Sequence, residues 1–340
     1  QRSDGTWAFN DEVIKEYSDV KEKMSKGEWV CHLVVQMLKN EATLNTKIDE
    51  GKVRSFYTSD TVTQMLIREY LLTTCRFYCL NTPLTETTVG INPHGIDWTK
   101  MAAEWLGFEK KENIIALDLK NFDLTTLFEL VEAAIDIMFE PILKYGNLSA
   151  EDRRIIVGLK HSLLYSVTVS NGELVVLPGI IPSGTPITSM LGSIINSLNY
   201  RMAYYYIYPD TKKKFREVVC LRTYGDDSIA NVKRGYPEMN VKGVLKAWHE
   251  LGIQGTDLDK LGWESKRKYY KKEEVEFLKR KIVYDRKTGY YVAPLALASM
   301  LKSVCAHTPP KFMTIEAITG QCIDNFLFEA KFHKKPFYNK

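Results

Sequence analysis

The chain has 340 residues, 45% hydrophobic and 26% charged, with 46 basic against 42 acidic side chains and a formal charge of +4. That balance is ordinary for a globular protein with roughly two domains' worth of core, and it excludes a disordered chain, a collagen-like repeat and a disulfide-stapled miniprotein. No apolar run approaches the ~18–20 residues that cross a bilayer, so direct membrane insertion is not expected. The opening Gln1-Arg2-Ser3-Asp4-Gly5 is polar, without a signal-peptide core or an initiator Met, which points to a processed product or a piece of a polyprotein.

Residues 11–39 read as helix-rich. Lys39, Lys47, Lys52 and Arg54 follow in a polar loop. Asp60 is placed to cap a helix over 60–80. Residues 113–118 form a short apolar run that reads as a buried strand ending on Asp118. A helical stretch from about 125 to 145 contains Pro141, which should bend it. Two β-branched runs flank Asn171-Gly172 and predict a hairpin over 166–177. Pro182-Ser183-Gly184 opens a long helix reaching about Tyr205. Residues 218–224 and 228–232 read as two strands around Gly225-Asp226-Asp227. The alternation of strands, helices and hairpins predicts an α+β fold with an antiparallel sheet. The six cysteines, Cys31, Cys75, Cys79, Cys220, Cys305 and Cys322, show no zinc-type spacing and read as buried free thiols of a reducing compartment. Basic clusters at 212–216, 266–272, 279–281 and 334–335, interleaved with aromatics, suit either a solvated face or a nucleic-acid surface.

The sharpest chemical feature is Tyr224-Gly225-Asp226-Asp227. Two adjacent carboxylates at a hairpin tip repel each other, and a divalent cation removes that cost. Mg²⁺ favours carboxylate oxygens and keeps waters for a phosphate substrate. Asp118 ends a strand and Asp123 follows five residues later. If that strand lies beside the 218–232 hairpin, Asp118 and Asp226 face each other across two ions, the arrangement for in-line displacement at phosphorus. Ser183-Gly184-Thr185-Pro186-Ile187-Thr188 puts small and hydroxyl residues at a helix start, where N–H groups favour anionic oxygens. Lys47, Lys52 and Arg54 are a cation set of the kind that clamps a triphosphate.

In this order, the basic loop, Asp-x4-Asp, Ser-Gly-x3-Thr, Tyr-Gly-Asp-Asp and then Phe277-Leu278-Lys279-Arg280 resemble the catalytic core of a picornavirus-like positive-strand RNA virus RNA-dependent RNA polymerase. Gly90-Ile91-Asn92-Pro93 with Asp97-Trp98 also resembles a stretch in insect and marine relatives. The resemblance implies a right-hand fold: fingers over 1–110, palm over 111–135, a fingers–palm connection over 136–180, palm over 181–282 and a short thumb over 283–340. It implies templated transfer of nucleoside monophosphates from NTPs to an RNA 3′-OH, with RNA template and primer as partners. Asp118, Asp226 and Asp227 would hold two Mg²⁺ or Mn²⁺. Asp123 would accept from the ribose 2′-OH, assisted by Ser183 and Thr188. Lys39, Lys47, Lys52 and Arg54 would receive the triphosphate, and Lys260 would protonate the leaving pyrophosphate. Lys279 and Arg280, with Gly184, would contact RNA. Other viral replication proteins would bring the enzyme to membranes of the host cytoplasm.

This sequence departs from the family pattern in two ways. Four residues after Thr188, where the family carries a sugar-selecting Asn, stands Gly192; Asn196, one turn further on, either takes that role or leaves the network without an amide. The basic loop also begins early, so that much of the fingers, including the segment bridging to the thumb, is expected to lie outside this chain. Two other readings stay open from the residues: a reverse transcriptase, which shares a Tyr-x-Asp-Asp turn, and a non-catalytic RNA-binding domain.

Overall fold

Two four-stranded sheets and the helices that cover them build most of the chain. The computed structural model describes residues 8–306 and 312–333, so the basic pair at 334–335 lies outside the described residues. Helix α1 (Asp11–Ser25) is capped by the Asn10 side chain and stops before Gly27, which has φ +85°. The expected helical character of 11–39 therefore holds only for its first half. Strand β1 (Leu33–Leu38) follows. A short helix α2 (Asn45–Asp49) lies within the basic loop, and β2 (Ser55–Ser59) returns antiparallel to β1. Helix α3 (Thr61–Leu80) starts where the sequence places it: Asp60 Oδ1 accepts from Thr63 N at 2.6 Å.

After α4 (Thr82–Thr85) and α5 (Ile96–Phe108), strand β3 (Ile114–Leu119) runs fully buried until Asp118. A turn of helix, α6 (Phe122–Thr125), precedes the predicted 125–145 helix, which is α7 (Phe128–Tyr145). Pro141 sits inside α7 and donates nothing to the Ile137 carbonyl one turn back; the Tyr78 hydroxyl supplies that bond at 3.2 Å. Helix α8 (Ala150–Leu164), opened by a Ser149–Asp152 capping box, leads to the hairpin β4 (Val167–Ser170) and β5 (Glu173–Val176). Asn171 and Gly172 both have positive φ, +52° and +84°, as a two-residue primed turn needs. The first sheet has the order β2-β1-β4-β5, and β1 with β4 is a parallel pair.

Helix α9 (Thr188–Ile207) begins later than predicted. Pro186 keeps Thr185 out of helical geometry, so 182–187 form a loop stapled by the Thr188 hydroxyl, 2.8 Å from the Pro182 carbonyl. A turn of helix α10 (Phe215–Val218) feeds β6 (Val219–Tyr224) and β7 (Asp227–Val232), the predicted hairpin. Then come α11 (Val241–Glu250), β8 (Gly255–Thr256), the small hairpin β9 (Val283–Asp285) and β10 (Tyr290–Val292), and helices α12 (Leu297–Cys305) and α13 (Ile315–Ala330). The second sheet has the order β6-β7-β3-β8, antiparallel throughout.

One core joins this second sheet to α3, α5, α7, α8, α9 and α11, with Trp98, Trp105 and Trp248 fully buried in it. Each such side chain stabilises the fold by about 1.5–3 kcal/mol relative to exposure. Polar staples add register. Asn231 on β7 donates to the carbonyls of Trp105 and Glu109, fixing the end of α5. Buried Glu86 receives both guanidinium nitrogens of Arg201, at 2.8 and 2.9 Å, and Arg216 Nε at 2.8 Å. The chain beside it pairs with β6: Thr223 N donates to Glu86 O and Thr88 N to Thr223 O. All six cysteines are free, but only Cys220 is buried; Cys31 and Cys305 are exposed, which corrects the expectation of uniformly buried thiols. No helix among the described residues is long and apolar enough to cross a membrane.

Candidate active site

The β3–β7 register brings the predicted carboxylates together. Leu117 pairs with Ser228, so the next position along sets Asp118 opposite Asp227. Gly225, with φ +60°, makes the tight turn that leaves Asp226 exposed at the tip and Asp227 half-buried at the head of β7. Asp123 comes from α6, entered through Asn121 at φ +50°. Its carbonyl accepts from Ile181 N at 3.3 Å, which ties it to the Ser183 loop.

These carboxylates feel one another. Burial raises the Asp227 pKa to about 6, the charge of Asp226 adds to the rise, and Lys279 offsets part of it. Burial likewise raises Asp123 to about 6, with Asp226 adding and Arg54 and Lys39 opposing. Asp226 is also raised, by its crowded surroundings and then by the charge of Asp118. A carboxyl with a raised folded-state pKa costs no stability in acid and destabilises once the pH rises through that value. Asp227→Asn is therefore expected to stabilise the divalent-free protein by about 1–2 kcal/mol at pH 8 and by almost nothing at pH 4. Urea unfolding at the two pH values checks this, and an equal shift at both would remove the repulsion account.

Cations ring the cluster. Lys260, held at φ +62°, puts its ammonium 2.5 Å from Asp118 Oδ2. Leu278 and Lys279, at φ +55° and +58°, form a tight turn between Phe277 and Arg280, which exchange backbone hydrogen bonds of 2.9 and 3.0 Å. Non-glycine residues pay roughly 1–2 kcal/mol each for that conformation, and the Lys279 charge acts on Asp227 from this turn. Lys39 and Arg54 share Glu41 as a counter-ion at 3.9 and 3.4 Å. Lys52 pairs with Glu50 at 2.8 Å, and Lys47 sits on α2.

Three of the predicted contact residues have partners within the fold. Arg280 is not free for RNA: it is half-buried and makes a two-pronged pair with Glu329 on α13, at 2.8 and 2.6 Å. Gly184 packs closely on β2, since a Cβ there would lie 2.3 Å from Tyr57 O and 3.0 Å from Thr58 Cα. Beside it, Ser183 Oγ accepts from Tyr57 N at 3.1 Å. Asn196 is fully buried, and its amide donates to the carbonyls of Gly225 and Asp226 at 3.0 and 2.9 Å, so those donors do not reach a sugar. Sequence reasoning missed Glu41, Tyr57, Ser193 and Glu329. Of the neighbouring features, only Gly192 carried a signal, because a glycine inside a helix marks a close approach.

Asp118, Asp226 and Asp227 supply hard oxygen donors suited to a divalent cation. Among the described residues no three His, Cys, Asp or Glu side chains form a ready-made cage. Mg²⁺ takes one or two carboxylates directly and completes its shell with water and substrate phosphate.

A family model described as "Viral RNA-dependent RNA polymerase" matches residues 9–340. The chain is 26% identical over 338 residues to the replicase polyprotein of Drosophila C virus (strain EB), covering 96% of this chain and 19% of that polyprotein. It is 27% identical over 339 residues to the RNA1 polyprotein of Broad bean wilt virus 2, covering 97% of this chain and 17% of that one. The chain thus spans less than a fifth of these relatives. The solved structure of the Sicinivirus 3Dpol RNA-dependent RNA polymerase superposes with a TM-score of 0.78 at 18% identity, over 99% of this chain and 66% of that one. The architecture is therefore the right-hand polymerase fold, and the chain belongs to the viral RNA-dependent RNA polymerase family.

Proposed function

We propose that the chain is the catalytic core of an RNA-directed RNA polymerase, cut from a viral polyprotein, that adds nucleoside monophosphates from NTPs to an RNA 3′-OH during genome replication. The observation that carries this is the meeting of Asp118, Asp123, Asp226 and Asp227 at the open end of β3 and the β6–β7 turn, within the field of Lys39, Arg54, Lys260 and Lys279. On this reading the second sheet is the palm, and α5 and residues 86–88 go with the strands they pack on. The first sheet with α1–α3 and α8 is the fingers, and α12 and α13 the thumb.

Asp118, Asp226 and Asp227 would hold two Mg²⁺, or Mn²⁺. Bound there, the ions supply positive charge to the attacking and leaving oxygens of an in-line displacement. Asp123 accepts the ribose 2′-OH, held in place through its carbonyl by the loop that Ser183 and Thr188 staple. Arg54 and Lys39 orient the triphosphate, Arg as a fork and Lys as a point charge, and Lys47 and Lys52 line its approach. Lys260 is set to pass a proton to the departing pyrophosphate. Lys279 holds a primer phosphate without reading sequence. Other viral replication proteins would deliver the enzyme to cytoplasmic membranes of the host.

The test is primer extension on an RNA template with Mg²⁺ or Mn²⁺, supplying ribo- or deoxyribonucleotides. The expected product grows only with ribonucleotides complementary to the template. Growth preferring deoxyribonucleotides would make it a reverse transcriptase, and Mg²⁺-independent RNA binding without growth would leave a binding domain.

A further inference from the structure

Helix α9 grips the carboxylate-bearing turn from beneath. Residues 192, 196 and 200 are spaced to share one helix face. Gly192 has no room for a side chain: a Cβ would lie 3.1 Å from Gly225 Cα and 3.0 Å from Phe122 Cε1. That closeness brings Ser193 Oγ to 2.9 Å from Gly225 N, which donates to it. Asn196 then spends its amide on the carbonyls of Gly225 and Asp226, at 3.0 and 2.9 Å. Three successive peptide units, 224–225, 225–226 and 226–227, are thereby each held by one hydrogen bond. Peptide units fixed on both sides of Gly225 and Asp226 set the backbone dihedrals of both residues. Carboxylates crowded at one tip repel each other, and an unpinned turn would relieve this by splaying.

We infer that Asn196, with Ser193, is a positioning residue that locks the Gly225-Asp226-Asp227 turn in its divalent-binding shape, and that it is not a sugar-reading residue. The buried Oδ1 of Asn196 has no hydrogen-bond partner in the structure, so the side chain is committed as a donor to the turn. The inference rests on the polymerase reading only in taking Asp226 and Asp227 as divalent-ion ligands.

The test compares full-length Asn196→Ala, Ser193→Ala and Asn199→Ala. Asn199 is a buried amide on the same helix that makes no hydrogen bond to the turn. Mn²⁺ affinity is read by electron paramagnetic resonance without RNA, and kcat, KM and ribose preference by primer extension. Asn196→Ala is expected to weaken Mn²⁺ binding about 10-fold and kcat about 30-fold, leaving KM for NTP and ribose preference within about twofold. Ser193→Ala should lose about 3-fold in both affinity and kcat. Asn199→Ala, which removes no hydrogen bond to the turn, should keep both within about twofold. Wild-type affinity and kcat in Asn196→Ala, equal losses in Asn199→Ala, or a fall in ribose preference alone would overturn the inference. If Asn196→Ala does not fold, Ser193→Ala decides, and wild-type behaviour there overturns it. A wild-type chain that binds Mn²⁺ but makes no RNA sinks the polymerase reading while the Mn²⁺ comparison still decides this one; a wild-type chain that binds no Mn²⁺ sinks both.

Discussion

Asp226→Ala is expected to cut primer extension by about 10³-fold or more, because it removes charge stabilisation that only the transition state fully uses. RNA affinity should stay within about twofold, since phosphate contacts by lysine and arginine dominate such binding. The tip of the turn is exposed, so removing the Asp226 side chain opens no buried cavity and costs only its acceptance from the turn's own backbone N–H groups. Losing a like charge beside Asp123 and Asp227 also lowers the repulsion both of them feel. The variant should therefore be at least as stable as wild type without divalent ions. Equal extension by variant and wild type, measured at the same Mg²⁺ concentration, would sink the assignment of Asp226 as an ion ligand.

Glu86→Gln is expected to give the largest loss of stability, about 3 kcal/mol at pH 7, because breaking a buried ionic cluster leaves charges without their partner. The Glu86 side chain is only 4% exposed, whereas Arg201 and Arg216 are 26% and 44% exposed and recover some hydration. That partial exposure holds the figure at the low end for a buried cluster. The cluster also has a pH signature. Burial works to raise the Glu86 pKa, but the Arg201 hydrogen bonds and charge, the Ser197 hydroxyl and Arg216 outweigh it and leave the carboxyl below its usual value. A lowered acid contributes stability above the unfolded-state value of 4.5 and loses it as the pH falls through the lower folded-state value. The gap between wild type and Glu86→Gln should thus be full at pH 7 and shrink as the pH falls below 4.5 and through the lowered folded-state value. Urea unfolding across that range measures it, and a gap that persisted into acid would show that shape, not charge, matters at this site.

Local chemistry made much of the fold legible. Asp60 before an apolar helical run, Asn171-Gly172 between β-branched runs and the buried run into Asp118 each carry their own instruction, and each is found where the sequence puts it. The carboxylates were legible for a similar reason, since strand ends and a glycine turn have few ways to present them. What stayed hidden depends on distant partners. Strand β1 has no clean alternation, and its identity follows from pairing with β2 and β4. Arg280 looks like a phosphate ligand beside Lys279 until Glu329, 49 residues away, claims it. Asn196 resembles a displaced sugar reader until the absence of a side chain at Gly192 lets the turn settle onto α9.

The strip at residues 86–88 has one more effect. The second sheet has two edge strands, β6 and β8, and an unpaired edge is where foreign strands add to a sheet. Along β6, Thr87 and Thr88 already occupy part of the free hydrogen-bonding row, and β8 is only two residues long. The sheet that carries the carboxylates thereby leaves a foreign strand little free edge to join.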